Sequence, residues 1–297
     1  MKNWSKFSFF IVALLWGSSF AFQKTLLDVI SPFTLTFWNF AIAGLVLLGV
    51  ALYRKLRLFY RLREGIVLGI LLAGVEIFQM LGLRFSTSAD TVFISNLGML
   101  LIPYGGWLLF RDKVSLKNNI ALLLAIVGMY LLVGGVHGFG FGQLMLLVSA
   151  VAMALYFLYS QRFEGERNSH AIVLLAQQFF VTTLLAGLVV LFFGASFHVP
   201  SFLIGDFLLQ VLFFVILPYL LVQWASRWAD EMTSAVYDGV VEPLVGGITS
   251  WVFFAEATTR LSVIGAMLMV TAFSVVSIFS NKHFLTKGMK VLDALVR

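Results

Sequence analysis

Long runs of apolar residues, separated by short polar and basic stretches, make up most of this chain. A helix needs about 20 apolar residues to cross a lipid bilayer, so runs of this length predict membrane-spanning helices. Ten are predicted, at residues 7–26, 32–53, 65–84, 89–110, 117–136, 142–161, 171–194, 206–226, 231–254 and 261–280. The pattern therefore predicts an all-α integral membrane protein with ten transmembrane helices.

The composition supports the same class. Hydrophobic residues make up 61% of the chain and charged residues only 11%, whereas soluble domains contain about 25% charged residues. The absence of cysteine excludes disulfide frameworks, thiolate catalysis and cysteine-ligated metals. The net charge of +6 comes from short basic clusters between apolar runs, which is typical of topology signals and gives no reason to expect nucleic-acid binding.

These basic clusters predict the orientation in the membrane. With a cytoplasmic N-terminus, only three of the 20 Lys and Arg residues fall on the outer side, namely Lys24, Arg84 and Arg260. Because cytoplasmic loops are rich in Lys and Arg, we expect both termini in the cytoplasm and a bacterial-type plasma (inner) membrane location. Alternatively, the first apolar run could be a signal peptide, but the repeat described next favours a retained helix.

The two halves of the chain repeat each other weakly. A shift of 144 residues aligns Gln79 with Gln223, Trp107 with Trp251 and Asp112 with Glu256. A shift of 138 residues aligns Asn39 with Gln177. Since each half has five helices, the second enters the membrane from the opposite side, which gives two inverted five-helix repeats. We assign residues 1–139 and 140–281 to the repeats. Residues 282–297 are predicted to form a cytoplasmic tail, either amphipathic or disordered.

Several motifs in this layout resemble a known family. They are Trp16 and Gly17 followed by small residues, the SPFTLTFWNFAIAGL segment from Ser31, Glu242–Pro243 in the ninth helix, and Gly265 in the tenth. In this order they resemble the EamA branch of the drug/metabolite transporter superfamily, over residues 7–281. The resemblance implies cytoplasmic termini and a central cavity through which small metabolites move by alternating access. Asn39, where the family often has Arg, and Asp112, where Glu is more usual, depart from the pattern.

Acidic residues inside predicted helices are the main functional candidates. An acid at mid-bilayer costs about 2.5–3.5 kcal/mol on insertion scales, and no Lys or Arg lies at comparable depth. Glu76 is followed by Gln79 on the same helix face, and Asp238 and Glu242 also share one face. These acids are predicted to bind a cationic group or a proton. The alternatives are a protonated acid bonded to a neighbouring helix and, for Glu242, a role in helix geometry beside Pro243.

Aromatic and amide side chains complete the predicted site. An aromatic face beside an acid can hold an ammonium group, and amides either orient a polar substrate or join helices. The predicted substrate-binding residues are Trp16, Asn39, Glu76, Gln79, Gln177, Gln223, Tyr237, Asp238 and Glu242. Of these, Glu76, Asp238 and Glu242 are also predicted to couple transport to protons.

The sequence thus favours a secondary active transporter of a small cationic or zwitterionic metabolite, such as an amino acid, amine or quaternary ammonium compound. Proton coupling or exchange would drive it, and export is favoured over import. No P-loop and no intramembrane His-based site occurs, so neither an ATP-driven pump nor a metalloenzyme is expected, and no cofactor or metal is predicted. The expected partners are the substrate, protons and the lipid bilayer. The alternative is a flippase, or a transporter of a lipid-linked or anionic metabolite.

Overall fold

The computed structural model describes residues 2–111, 113–135, 138–160, 170–225 and 237–279. Within these ranges the regular structure is entirely helical. Seven helical stretches are long and apolar enough to cross a membrane, namely Trp4–Leu27, Pro32–Tyr53, Leu62–Arg84, Ser88–Leu109, Phe141–Ser160, Ala171–Phe192 and Ser201–Ala225. Three shorter apolar helices cover Leu116–Leu132, Gly239–Phe253 and Arg260–Val276. The all-α membrane class is confirmed, while the number of ten crossings stays a prediction.

The helices have the following bounds: α1 Lys2–Leu27, α2 Pro32–Tyr53, α3 Leu62–Arg84, α4 Ser88–Ser95, α5 Leu97–Phe110, α6 Leu116–Leu132, α7 Phe141–Ser160, α8 His170–Phe192, α9 Ile204–Gln210, α10 Leu217–Ala225, α11 Glu242–Ile248 and α12 Arg260–Phe279. Wider π-helical turns cover Val211–Ile216, Tyr237–Val241 and Thr249–Phe253. The local sequence explains where several of these helices begin. Thr87 and Ser115 cap α4 and α6 through their side-chain oxygens, and Pro32 occupies the first turn of α2.

Three of the predicted single helices are interrupted, two of them just before a proline. A proline inside a helix has no N–H to donate and crowds the carbonyl four residues earlier, so the preceding turn must widen or break. The π turn Val211–Ile216 lies just before Pro218, and the π turn Tyr237–Val241 lies just before Pro243. The fourth predicted helix divides at Asn96 into α4 and α5, upstream of Pro103.

The helices pack as pairs that combine the two halves of the chain. α2 packs on α8, α6 packs on α12, and α3 packs on both α7 and α8. Helix α1 contacts α10 and α11, while α7 contacts α4 and α5. Glycines allow the closest approaches: a Cβ at Gly128 of α6 would lie 2.7 Å from the carbonyl oxygen of Gly265 in α12. The halves are therefore interleaved in one bundle.

The outer surface of the bundle is apolar. Large hydrophobic side chains are exposed along most helices, among them Leu45, Leu123, Leu184, Leu191 and Val252. A soluble protein rarely exposes so much contiguous apolar surface, whereas a lipid environment accommodates it without cost. The exposed residues therefore agree with the membrane class predicted from hydropathy.

Candidate substrate site

Tyr219 of α10 lies at the centre of a polar and aromatic group of side chains inside the bundle. Its hydroxyl is a polar neighbour of the carboxylate of Glu76 on α3, to which it can act as a hydrogen-bond donor. Its ring centroid lies 5.4 Å from that of Trp16 on α1 and 4.9 Å from that of Phe179 on α8, both in edge-to-face geometry. Four helices therefore converge here, and an acid lies beside an aromatic wall. We call Trp16, Glu76, Tyr156, Gln178, Phe179 and Tyr219 the central cluster.

Glu76 is only partly buried within the bundle. A carboxylate at this depth needs compensation, because even insertion scales assign it about 2.5–3.5 kcal/mol. The Tyr219 hydroxyl supplies one donor, and the remaining accessible surface leaves room for a further partner. Gln79, one turn later on the same helix, is buried. The predicted polar face of α3 therefore points into the bundle.

A hydrogen bond joins two further members of the central cluster. The Tyr156 hydroxyl on α7 donates to Oε1 of Gln178 on α8 at 2.9 Å. Gln178 immediately precedes Phe179, whose ring also meets Phe40 of α2 at 5.0 Å. This bond and the ring contacts hold the aromatic wall in one position.

Glu242 is a second acid, placed at a tight crossing of three helices. It is buried, and Nδ2 of Asn96 donates to its Oε1 at 3.3 Å. A Cβ at Gly17 would lie 2.6 Å from the Glu242 carbonyl oxygen, and one at Gly246 would lie 3.0 Å from the Gly17 carbonyl oxygen. The Glu242 charge also acts on Tyr219. Glu242 therefore borders the central cluster but is more enclosed than Glu76.

Of the candidates Tyr237, Asp238 and Gln223, the structure describes the side chains of Tyr237 and Gln223. The Tyr237 ring stacks on Phe9 at 6.5 Å and meets Phe10 edge-on at 6.3 Å. The side chain of Asp238 lies outside what the structure describes. Gln223 is partly exposed one helical turn after Tyr219, on the same face of α10.

Two amide candidates of the repeat lie in different surroundings. Asn39 of α2 is buried, and its Oδ1 has no hydrogen-bond partner among the described residues. Nε2 of Gln177 instead donates to the carbonyls of Leu58 at 2.7 Å and Tyr60 at 3.1 Å, in the loop between α2 and α3. The side chain of Gln177 thus anchors a loop, and its role in substrate binding stays a prediction.

Sequence reasoning missed four members of the central cluster, namely Tyr156, Gln178, Phe179 and Tyr219. Apolar helices of this kind contain many aromatics, and a ring that packs looks the same in sequence as one that lines a site. A weak signal existed for Tyr219, which precedes the candidate Gln223 by four residues and therefore shares its helix face. For Gln178 the sequence offered two adjacent amides, and only the packing of α8 decides between them.

A groove of about 530 Å³ lies elsewhere, between α3 and α8. It is lined by Ile70, Gly74, Ile77, Leu188 and Phe192 among other apolar residues. Because no polar group lines it, the groove suits lipid rather than a polar ligand. It carries none of the predicted site residues.

Residues 3–134 match the EamA-like transporter family. An uncharacterized transporter of Archaeoglobus fulgidus is 27% identical over 268 residues, which cover 90% of this chain and 84% of that protein. The similarity to EamA-like transporters is thus seen over the first half of the chain. The chain is also similar to YyaM of Bacillus subtilis, an uncharacterized transporter that is 23% identical over 86% of this chain and 87% of its own length.

Two further similarities bear on this protein. The S-adenosylmethionine/S-adenosylhomocysteine transporter of Chlamydia muridarum is 31% identical over 137 residues, or 43% of this chain and 42% of that protein. A protein of known crystal structure superimposes with a TM-score of 0.64 at 21% identity, covering 94% of this chain and 98% of its own. At that identity the structural likeness shows the fold alone. The named relatives are transporters, and the long apolar helices agree with a multi-pass membrane protein.

Proposed function

We propose that this protein is an EamA-type transporter that moves a small cationic or zwitterionic metabolite by alternating access, driven by protons or by exchange, with export as the favoured direction. The observation that carries the proposal is the Glu76 carboxylate, which lies beside the Tyr219 hydroxyl and an aromatic wall of Trp16, Tyr219 and Phe179. Aromatic faces attract cations through the ring quadrupole, and a desolvated carboxylate attracts them more strongly still.

The chemistry of one relative's substrate agrees with this class. The Chlamydia muridarum protein transports S-adenosylmethionine and S-adenosylhomocysteine. S-adenosylmethionine has a sulfonium cation and a zwitterionic amino acid group, so it presents the charges that an acid with aromatic neighbours favours. It also has an adenine ring, which could stack on Trp16 or Phe179. We therefore place sulfonium and quaternary ammonium metabolites, with amino acids, first among the substrates to test.

The helix contacts support two inverted repeats as the framework of the proposed alternating-access cycle. We propose that α1 to α6 and α7 to α12 are equivalent units, with α3 matching α9–α10 and α4–α5 matching α11. If the two units are equivalent, each contact in one half should have a counterpart in the other. The contact of α1 with α10 corresponds to that of α7 with α3, and the contact of α1 with α11 corresponds to that of α7 with α5. The pairs α2 with α8 and α6 with α12 each join two equivalent helices, so they are unchanged when the two units are exchanged. In such an arrangement two states of opposite openness have similar energies.

Transport of an anionic or lipid-linked metabolite is the second candidate. It would need a cation near the site, yet none of the described residues of the central cluster is a Lys or Arg. Lys24 and Arg84 lie at the end of the bundle, where they bond to backbone carbonyls. The charges of the described residues therefore favour the cationic or zwitterionic class.

A thermal-shift screen of the purified protein in detergent tests the proposal. The compounds are S-adenosylmethionine, S-adenosylhomocysteine, amino acids, choline-type cations, polyamines and organic anions. A ligand that binds the folded state raises the melting temperature by mass action. The variants are Glu76→Gln and Asp238→Asn, and Asp206→Asn is the matched control because Asp206 is an exposed acid of α9.

Stabilisation by a cation or zwitterion that Glu76→Gln removes and Asp206→Asn retains is the expected result. If anions or lipid-like compounds stabilise the protein equally in all variants, the cationic reading is wrong and the second candidate takes its place.

A further inference from the structure

The first turn of α4 has all its backbone donors satisfied, two of them by a distant residue. The N–H groups at the start of a helix have no partner within it. The N–H of Asp90 bonds to Oγ1 of Thr87, and that of Thr91 bonds to the Thr87 carbonyl. The N–H groups of Ser88 and Ala89 bond to the two carboxylate oxygens of Glu256, at 2.8 and 3.2 Å.

Glu256 reaches α4 from the segment between the last π turn and α12. Its own N–H bonds to the Ser250 carbonyl at 3.0 Å. The preceding residue, Ala255, has φ of +51°. The left-handed region is unfavourable for an L-residue with a Cβ, so the surrounding structure must impose this conformation. The backbone therefore turns sharply at the point that directs the carboxylate towards α4.

Lys24 joins two more elements at the same end of the bundle. Its Nζ donates to the carbonyls of Leu83, Arg84 and Ser86, at 2.7, 3.1 and 2.8 Å. Nη1 of Arg84 in turn donates to the carbonyl of Leu27 and lies 3.7 Å from Oδ1 of Asp28. The ends of α1 and α3 are thus tied to each other, and Glu256 ties the start of α4 to the segment before α12. We call this region the α3–α4 end.

We propose that Glu256 is a latch that holds the α3–α4 end closed by capping α4 from the opposite half of the chain. The inference rests on the proposed alternating access. When the α3–α4 end opens, the N–H groups of Ser88 and Ala89 lose their carboxylate and must be hydrated. The carboxylate cap therefore exists only while the α3–α4 end is closed, so it stabilises the closed state relative to the open one. Thr87 belongs to the same turn but caps it from within, so its bonds move with α4 and bias neither state.

Spin labels measure this separation directly. The chain contains no cysteine, so labels attach only to introduced cysteines. Phe85→Cys and Thr258→Cys place one label beside the start of α4 and one just after Glu256, both at exposed positions. Double electron–electron resonance on this pair, in nanodiscs without substrate, gives the distance distribution of the parent and of Glu256→Ala, Glu256→Gln and Thr87→Ala.

We expect Glu256→Ala to raise the ratio of separated to close populations by about tenfold, as the loss of charge-assisted hydrogen bonds predicts. Glu256→Gln, which keeps one acceptor oxygen but loses the charge, gives a smaller shift in the same direction. Thr87→Ala lowers the melting temperature but leaves the distances unchanged. An unchanged distribution in both folded Glu256 variants overturns the latch, and so does an equal shift in Thr87→Ala.

These outcomes are separate from those of the proposed function. The distances are measured without substrate, so a failed ligand screen leaves the latch intact. Conversely, a confirmed cationic substrate together with unmoved labels removes the latch alone.

Discussion

The α3–α4 end and the central cluster use polar groups in opposite ways. At the α3–α4 end, Lys24 has three acceptors and Glu256 has two donors, all from backbone groups. In the central cluster, Glu76 has the Tyr219 hydroxyl as a donor and keeps accessible surface. On α2, outside that cluster, the buried Oδ1 of Asn39 has no partner among the described residues. Polar groups with a full set of internal partners hold helices together, whereas those with few partners can bind a ligand.

The largest expected effect comes from removing the central charge. In proteoliposomes loaded with a pH-sensitive dye, Glu76→Gln should reduce substrate-driven proton movement by about 10- to 100-fold, since hydrogen bonds to charged groups are worth about 1.5–3 kcal/mol. Asp206→Asn should leave it unchanged. Full proton coupling in Glu76→Gln would mean that the central acid does not couple transport to protons.

The helix crossing beside Glu242 should be sensitive to a single methyl group. Gly17→Ala places a Cβ against the Glu242 carbonyl and the Val245 side chain, so the helices must separate, at a cost of about 1–3 kcal/mol typical of overpacking. The matched control is Gly49→Ala, because a Cβ at Gly49 has nothing within 4 Å. Thermal unfolding in detergent compares the two. Equal melting temperatures for Gly17→Ala and Gly49→Ala would show that α1 and α11 can separate without loss of stability.

Removing one hydroxyl separates the two functions of Tyr219. Tyr219→Phe keeps the ring against Trp16 and Phe179 but loses the donor to Glu76. Because a typical hydrogen bond contributes about 0.5–1.5 kcal/mol, we expect the apparent affinity for a cationic substrate to change by roughly two- to tenfold. Tyr219→Ala, which also removes the ring, should have a larger effect. If the two variants behave alike, the aromatic wall contributes nothing.

The smallest effect is expected at Gln177. Gln177→Ala removes two hydrogen bonds to the loop between α2 and α3, so stability should fall by about 1 kcal/mol while substrate affinity stays within roughly twofold, below what one hydrogen bond is worth. Titration of ligand-induced melting shifts measures both quantities. A tenfold loss of affinity would instead assign Gln177 to the site, as its position in the repeat predicts.

Much of the fold follows from local features of the sequence. An apolar run long enough for the bilayer must be helical, because no water is present to satisfy its backbone. The apolar runs therefore located the helices, and Trp16 and Glu76 were found because an indole deep in a helix and an acid in an apolar run are conspicuous. Pro218 and Pro243 marked where helices deviate but not the form of the deviation, which is a π turn before each. Pro103 marked none, because α5 continues through it.

The partners of these residues were decided by the tertiary structure alone. Tyr219 meets Glu76, and Glu256 caps Ser88, across more than 100 residues of chain, and no local pattern specifies such a pairing. Gln177 and Gln178 are adjacent amides, yet one binds a loop and the other meets Tyr156. Successive residues of a helix point about 100° apart, so the packing of α8 determines which amide reaches the centre. The sequence by itself determined the helices and the acids among them, and the packing decided which polar groups were left available for a ligand.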